Sequence, residues 1–379
     1  MVNDNRLNTC IVTFPISAAG FPPLANLMSI ICKFSRKVYI ISSSDFSKVY
    51  SYSKHNVFFY SISNRELDGL LMVLLKFLKA QLEIVIRILI IRSYVDFYLF
   101  FIGGESLFLP MLVAKFFKKK VVLCHSGSIV ESAKQQKMPL VNALIMIREF
   151  TRLLADRIIV YSNAIIYKDG LDKFRYKIAI AHEHFIDFKL FDLCKVFSTR
   201  ESVVGYAGRF TLEKGISNLA KAIPLIFKHK PDVNFVFIGD GPLFYDVNKC
   251  LVVDGHKVKV LKWVPREKIP NFLNEMKLLV LPSLTEGMPN IVLEAMACGT
   301  PVLATPVGAI PDIIKDGETG FLLRSNDPKH IAERIIELLN KHELLEKVSI
   351  DAYNYIRENF NYEKTLEAWQ KIIKELKQH

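Results

Sequence analysis

The strongest constraint on how this chain can fold is an alternation of short apolar segments with helical stretches along nearly all of its 379 residues. In the first half the strand-like segments fall at residues 9–14, 37–41, 57–60, 97–102, 120–124, 157–161 and 177–181. In the second half they fall at residues 202–206, 234–238, 258–263, 278–282 and 301–305. Strands that alternate with helices form parallel sheets covered on both faces. The chain is longer than one hydrophobic core usually serves, so two α/β domains are expected, joined near residues 187–201 where the periodicity lapses. Two such sheets leave a cleft between them, and ligands of open α/β sheets bind beyond the carboxyl ends of the strands.

Apolar residues make up 51% of the chain and charged residues 23%, enough for substantial cores and unlike a disordered sequence. The six cysteines, Cys10, Cys32, Cys124, Cys194, Cys250 and Cys298, show neither close pairing nor metal-type spacing and fit free thiols in a reducing cytosol. Residues 1–8 lack the layout of a secretory signal, so the expected location is cytoplasmic. Residues 1–189 hold 25 Lys and Arg against 14 Asp and Glu, a net +11, whereas residues 190–379 hold 25 against 24, a net +1. That asymmetry points to an anionic partner, either a membrane surface or a phosphate-bearing acceptor. Nucleic acid is not expected, because no nucleic-acid-binding motif is present. Residues 66–92 predict one or two helices whose apolar runs are broken by Lys76, Lys79, Glu83, Arg87 and Arg92. Such a segment is too interrupted to cross a bilayer but could rest, as a basic amphipathic face, on the anionic inner side of a membrane.

Chemistry concentrates in Glu286-Gly-Met-Pro-Asn-Ile-Val-Leu-Glu294. Residues 278–282 read as a buried strand, 283–289 as a loop, and Asn290 as the cap of a short apolar helix reaching about Cys298. Ionised carboxylates only accept hydrogen bonds, so Glu286 and Glu294 match vicinal hydroxyl pairs of a ribose or hexose. Gly287, Met288, Pro289 and Asn290 bring backbone to a helix amino terminus, where phosphate is favoured. Glu294 is the only charge in residues 291–298, and an unpaired buried carboxylate there would be costly.

A second group follows the strand at residues 202–206. Gly208 and Gly215 let backbone approach a ligand closely, Arg209 can bridge diphosphate oxygens with its planar fork, and Lys214 adds a point charge. As ordinary loop charges, Arg209 and Lys214 would be solvated, with Lys214 paired to Glu213; Ser217 can cap the helix beyond. The Gly239-Asp-Gly-Pro242 run is expected to be a turn. His125 stands at the end of the strand at residues 120–124 and is a candidate to face a ligand, although a structural role is also open to it. His182-Glu-His184 lacks the further ligands a metal site needs, so no metal is expected.

Glu286 and Glu294 reproduce the two-glutamate spacing of the family-4 retaining glycosyltransferases, and the chain resembles that family through most of its second half. The likeness includes Val204-Gly-Tyr-Ala-Gly-Arg209, Glu213-Lys214-Gly215, Phe237-Ile-Gly-Asp-Gly-Pro242, Trp263-Val-Pro265 and Gly317-Glu-Thr-Gly-Phe-Leu322. The resemblance implies the GT-B fold, two facing Rossmann-like domains with parallel sheets and an interdomain cleft. Residues 1–190 would form the acceptor domain, residues 200–361 the nucleotide-sugar donor domain, and the helix at 362–379 would return to the first. It further implies metal-independent transfer of a hexose-type sugar from a nucleotide sugar to an acceptor hydroxyl on a glycan or lipid-linked molecule, with retention. Arg209 and Lys214 would bind the diphosphate, Glu286 the sugar and Glu294 the ribose, while Trp263 lines the base pocket and His125 meets the transferred sugar or acceptor.

The family's early glycine pair survives here only as Ala19-Gly20, leaving Gly20 as the donor-contact candidate, and the later pair is reduced to Gly308-Ala309. A GT-B phosphorylase, a sugar-nucleotide epimerase, or a catalytically silent glycan- or membrane-binding homologue are the alternatives. A dinucleotide oxidoreductase is disfavoured, since no Gly-x-Gly-x-x-Gly follows the first strand.

Overall fold

The computed structural model of the protein describes residues 6–16, 20–43, 56–63, 70–125, 130, 141–251 and 257–378. The chain divides into two compact units, Met1–His184 with Thr365–His379, and Phe185–Lys364. In the first unit the elements are β1 (Leu7–Val12), α1 (Phe21–Phe34), β2 (Ser35–Ser43), β3 (Val57–Ile62), α2 (Leu70–Ile91), β4 (Phe97–Phe100), α3 (Phe108–Phe116), β5 (Lys120–His125), α4 (Val141–Leu154), β6 (Arg157–Val160), α5 (Asn163–Lys168) and β7 (Ile178–Ile180). The strands lie in the order β3-β2-β1-β4-β5-β6-β7, paired in parallel. Every residue of β4 and all but the first of β1 are buried, as befits strands sandwiched between helical layers. The stretch predicted at residues 66–92 is described as one helix from Leu70 to Ile91.

The second unit contains β8 (Val203–Ala207), α6 (Ile216–Phe227), β9 (Asn234–Ile238), α7 (Phe244–Leu251), β10 (Val258–Leu261), α8 (Ile269–Glu275), β11 (Leu278–Leu281), α9 (Asn290–Ala297), β12 (Val302–Ala304), α10 (Ile310–Ile313), β13 (Phe321–Leu322), α11 (Pro328–Leu339) and α12 (His342–Asn359). Its sheet, also parallel, runs β10-β9-β8-β11-β12-β13. The chain builds outward from β8 to β10 and then returns to place β11 on the other side of β8. This reversal sets the loops after β8 and β11 side by side, the position where open α/β sheets hold ligands. The two-residue β13 went unpredicted because so short a strand has no period to read; it pairs Leu303 with Phe321 and Ala304 with Leu322.

The final helix, α13 (Tyr362–Gln378), buries Thr365, Trp369, Ile372, Ile373 and Leu376. Its Trp369 Nε1 donates to the His182 carbonyl at 2.9 Å, and Arg157 donates to Glu375 at 2.6 Å, both within the first unit. Leu366 is only half-buried, and the buried Thr365 beside it donates a hydrogen bond to the His184 carbonyl at 3.2 Å. Cys10, Cys124, Cys194, Cys250 and Cys298 are free thiols.

Candidate functional site

At the reversal point of the second sheet, β8 ends in Gly208 and Arg209, and Tyr206 Oη fixes the loop by donating to the Arg209 carbonyl at 2.8 Å. The loop closes at Gly215, which takes a left-handed φ of 65° and serves as the amino-terminal cap position of α6 in place of the predicted Ser217. A side chain at Gly215 would put its Cβ 2.0 Å from the Pro282 carbonyl oxygen, so bare backbone is what lets the β8 loop lie on the β11 loop. Asn326 bridges the same junction, donating to the Pro282 carbonyl at 2.6 Å while its own carbonyl accepts from Asn218 at 2.8 Å.

Across this seam Lys214 Nζ lies 2.7 Å from both carboxylate oxygens of Glu286. Ser283 Oγ donates to the same carboxylate at 2.7 Å. Lys214 and Glu286 are 18% and 6% exposed along their side chains, so the pair is largely withdrawn from water. The expected alternative, Lys214 on Glu213, does not occur; Glu213 instead takes Arg209 at 3.3 Å, whose side chain is 63% exposed. Gly308, the survivor of the later glycine pair, packs beneath the Glu286 loop with φ of 60°, and its Cβ would lie 2.2 Å from the Glu286 carbonyl oxygen. The Ala309 N–H donates to the Gly287 carbonyl at 2.8 Å.

Beyond that loop α9 begins. Its cap position is Pro289, in extended conformation, and Asn290 is the first helical residue, so the helix begins one position earlier than the sequence suggests. A proline with φ near −75° enters a helix without strain, and the one-residue offset is of the size at which helix ends are ordinarily ambiguous. Met288 and Pro289 are buried, and Gly287 and Asn290 partly so. The other end of α9 is held by the buried Arg200, which donates to the Cys298 carbonyl at 2.8 Å and the Thr300 hydroxyl at 3.1 Å.

Glu294 is one turn into α9 and buried. Arg266 Nη2 sits 2.7 Å from Glu294 Oε1, as an ion pair whose angles leave that oxygen without a hydrogen bond. Burial raises the Glu294 pKa, and Arg266 beside it offsets part of that rise. Arg266 escaped sequence reasoning because the pairing spans separate elements. The lone charge of α9, which signalled Glu294, also signalled the need for a partner. Trp263 is 77% exposed and therefore no part of the core. Asp240 forms the predicted turn, accepting from the Gly241 N–H at 2.8 Å.

Arg209, Lys214, Glu286 and Glu294 thus sit on the loops and helix after β8 and β11 of one sheet. Residues 201–341 match the family model of glycosyl transferases group 1. They belong to that family. A glycosyltransferase of Methanocaldococcus jannaschii is 32% identical over 45% of this chain and 47% of its own length. The N-acetyl-alpha-D-glucosaminyl L-malate synthase of Bacillus anthracis is 30% identical over 46% of each. The chain thus spans about half the length of the curated relatives it matches. Among solved structures, HepE of Anabaena in complex with UDP aligns over 98% of this chain and 100% of its own with a TM-score of 0.76 and 15% identity. The fold is GT-B.

Outside the group 1 domain, the first unit places its own candidates differently. His125 has no exposed surface. Its Nδ1 lies 2.7 Å from Glu105 and its Nε2 2.5 Å from Asp169, so neither ring nitrogen is turned to a ligand. Arg152, also without exposed surface, donates to Glu105 at 3.1 Å and to the Asp169 carbonyl at 3.0 Å. Burial opposes the charge of His125, but Glu105 and Asp169 outweigh it and hold its pKa at about 9. The same contacts hold both carboxyls below their ordinary range against the upward push of burial. Glu105 is the only charge between Asp96 and Lys115, a lone-charge signal of the same kind as Glu294 that was legible in the sequence.

Gly20 opens α1 with helical backbone, and residues 17–19 before it, like Ser126 to Ser128 after His125, lie outside the described residues. A cavity of about 320 Å³ lined by Lys120, Asp156, Arg157, Lys177 and Glu375 lies at the amino ends of β5 and β6, the wrong end of the sheet for an α/β ligand site. Among the described residues no group of three or more His, Cys, Asp or Glu could hold a metal ion.

Proposed function

We propose that the protein is a metal-independent, retaining glycosyltransferase that moves a hexose-type sugar from a nucleotide sugar to a hydroxyl of a glycan or lipid-linked acceptor. The observation that supports this most is the Lys214–Glu286 pair beside exposed Arg209 at the reversal point of the second sheet. A donor diphosphate competes for Lys214 and draws its ammonium off the carboxylate, and Glu286 is then free to accept hydrogen bonds from sugar hydroxyls. Arg209 spans the diphosphate oxygens, and the amino terminus of α9, with Gly208, Gly287, Met288, Pro289 and Asn290 around it, supports the departing phosphate. Glu294 holds the ribose and Trp263 covers the base. His125, bonded at both nitrogens, is left out of the donor set, and Gly20 contacts the donor only by family resemblance.

The acceptor attacks from the face the nucleotide leaves, and a leaving-phosphate oxygen takes its proton. At about 4 Å and an effective dielectric near 20, each cation interacts with a unit negative charge by roughly 4 kcal/mol. A third of that, gained only as the leaving group develops charge, is about tenfold in rate. UDP is the first nucleotide to test, because HepE was solved with UDP and with UDP-glucose. Calorimetric titration of UDP and UDP-sugars should show binding, and Lys214→Ala and Arg209→Ala should each lower turnover about a hundredfold or more with unchanged circular dichroism. Wild-type turnover in either variant, or no nucleotide binding at all, would reject the assignment. We place the reaction on the inner face of a membrane.

A further inference from the structure

We propose that α2, α3 and α4 together form a docking platform for an anionic lipid bilayer. The platform lies in the first unit and does not depend on the donor assignment in the second. The connections from β3 to β4, β4 to β5 and β5 to β6 all advance toward β7, so right-handed crossovers put their helices on one face of the sheet. Consistently, α2 packs on α3 and α3 on α4.

The inner stripe of α2 is apolar and buried, with Ala80, Ile84, Ile88 and Ile91 at 4% exposure or less. Its outer stripe is apolar as well: Leu75, Leu78, Leu82, Ile86 and Ile90 recur at helical spacing and are 50 to 55% exposed. A helix apolar on both sides is built for two apolar neighbours. Only the inner one is supplied by the described residues. The neighbouring helices continue the face, with Leu112 and Phe116 of α3 at 42% and 80%, and Met146, Phe150 and Leu153 of α4 at 73%, 42% and 63%. Monomers seldom leave an apolar patch of more than about a few hundred Å² bare, and these large exposed side chains are carried by three helices packed in series.

Charge selects the occupant. Lys76, Lys79 and Arg87 border the α2 stripe, and Lys118 and Lys119 follow α3. On α2 the single described acid is Glu83, which lies 3.7 Å from Lys79 and accepts from Ser63. Residues 1–189 carry a net +11. A second copy of the chain would set like charges against one another, whereas anionic headgroups complement them and the acyl boundary receives the leucines and isoleucines. No described helix is long and apolar enough to cross a membrane, so the platform lies on the surface.

Flotation of the full chain with vesicles of phosphatidylcholine, with and without phosphatidylglycerol, tests the proposal. The protein should float with the anionic vesicles only, and less so as salt is raised. Leu78→Glu with Ile86→Glu should abolish flotation, and Lys76→Gln, Lys79→Gln and Arg87→Gln together should lower partitioning roughly a hundredfold. The second set leaves the apolar packing intact, so its loss of binding cannot be misfolding. Equal partitioning to neutral vesicles, failure of the wild type to float, or a solution dimer that Leu78→Glu dissociates would each overturn it, the last by showing that a second copy covers this face.

Discussion

Lys214 and Glu286 are 72 positions apart, yet the parallel pairing of β8 with β11 leaves them in bidentate contact. Both side chains are largely withdrawn from water, so removing either one should leave the other's charge poorly compensated. His125 shows the same logic with the opposite outcome: a histidine at the end of a strand looks like a ligand contact, but both its nitrogens are spent on Glu105 and Asp169. Its pKa of about 9 in the folded protein exceeds the ordinary value near 6.5. The stabilisation this gives is therefore complete below about pH 6.5 and fades as pH rises through about 9. Glu105 and Asp169, held low, contribute the reverse, stabilisation present above the ordinary carboxylate range and lost as pH falls through their lowered values. His125→Gln should thus lower the thermal unfolding midpoint most near about pH 6, with the gap to wild type closing by about pH 10. A gap that stays constant across that range would mean that His125 is not charged in the fold.

At the scale of elements, the strands and helices were readable because each is a local pattern. Twelve strand segments were expected and all are present, while the two-residue β13 was invisible. Helix ends were less legible, as Pro289 and Gly215 show, because a cap is set by backbone geometry and not by residue preference alone. Gly215 is also where two loops touch. Gly215→Ala should cost about 1–2 kcal/mol for the left-handed backbone alone. The further push of its Cβ against Pro282 should part the β8 and β11 loops, so with the donor site proposed above nucleotide affinity should fall by more than stability does. Urea denaturation compared with nucleotide titration checks this, and an equal loss in both would show that the seam does not position Lys214.

For the whole molecule, the first unit is discontinuous, made of Met1–His184 and closed by Thr365–His379. Trp369 is 1% exposed, and losing such a side chain from a core costs about 3–5 kcal/mol. Ending the chain at Lys364 should therefore unfold or loosen the first unit while the second keeps its cooperative transition. Limited proteolysis followed by mass spectrometry would find cleavage sites confined to residues 1–184; cleavage spread equally over both units would refute the division.

The sequence alone determined the α/β class, the strand and helix segments, and the candidate charges of the group 1 domain, because periodicity and motif spacing are properties of neighbouring residues. Which charges meet was settled by the packed fold: Lys214 with Glu286, Arg266 with Glu294, His125 with Glu105 and Asp169. Those meetings follow from the order of strands in each sheet, and strand order is a consequence of packing across the whole core that no local stretch of sequence encodes.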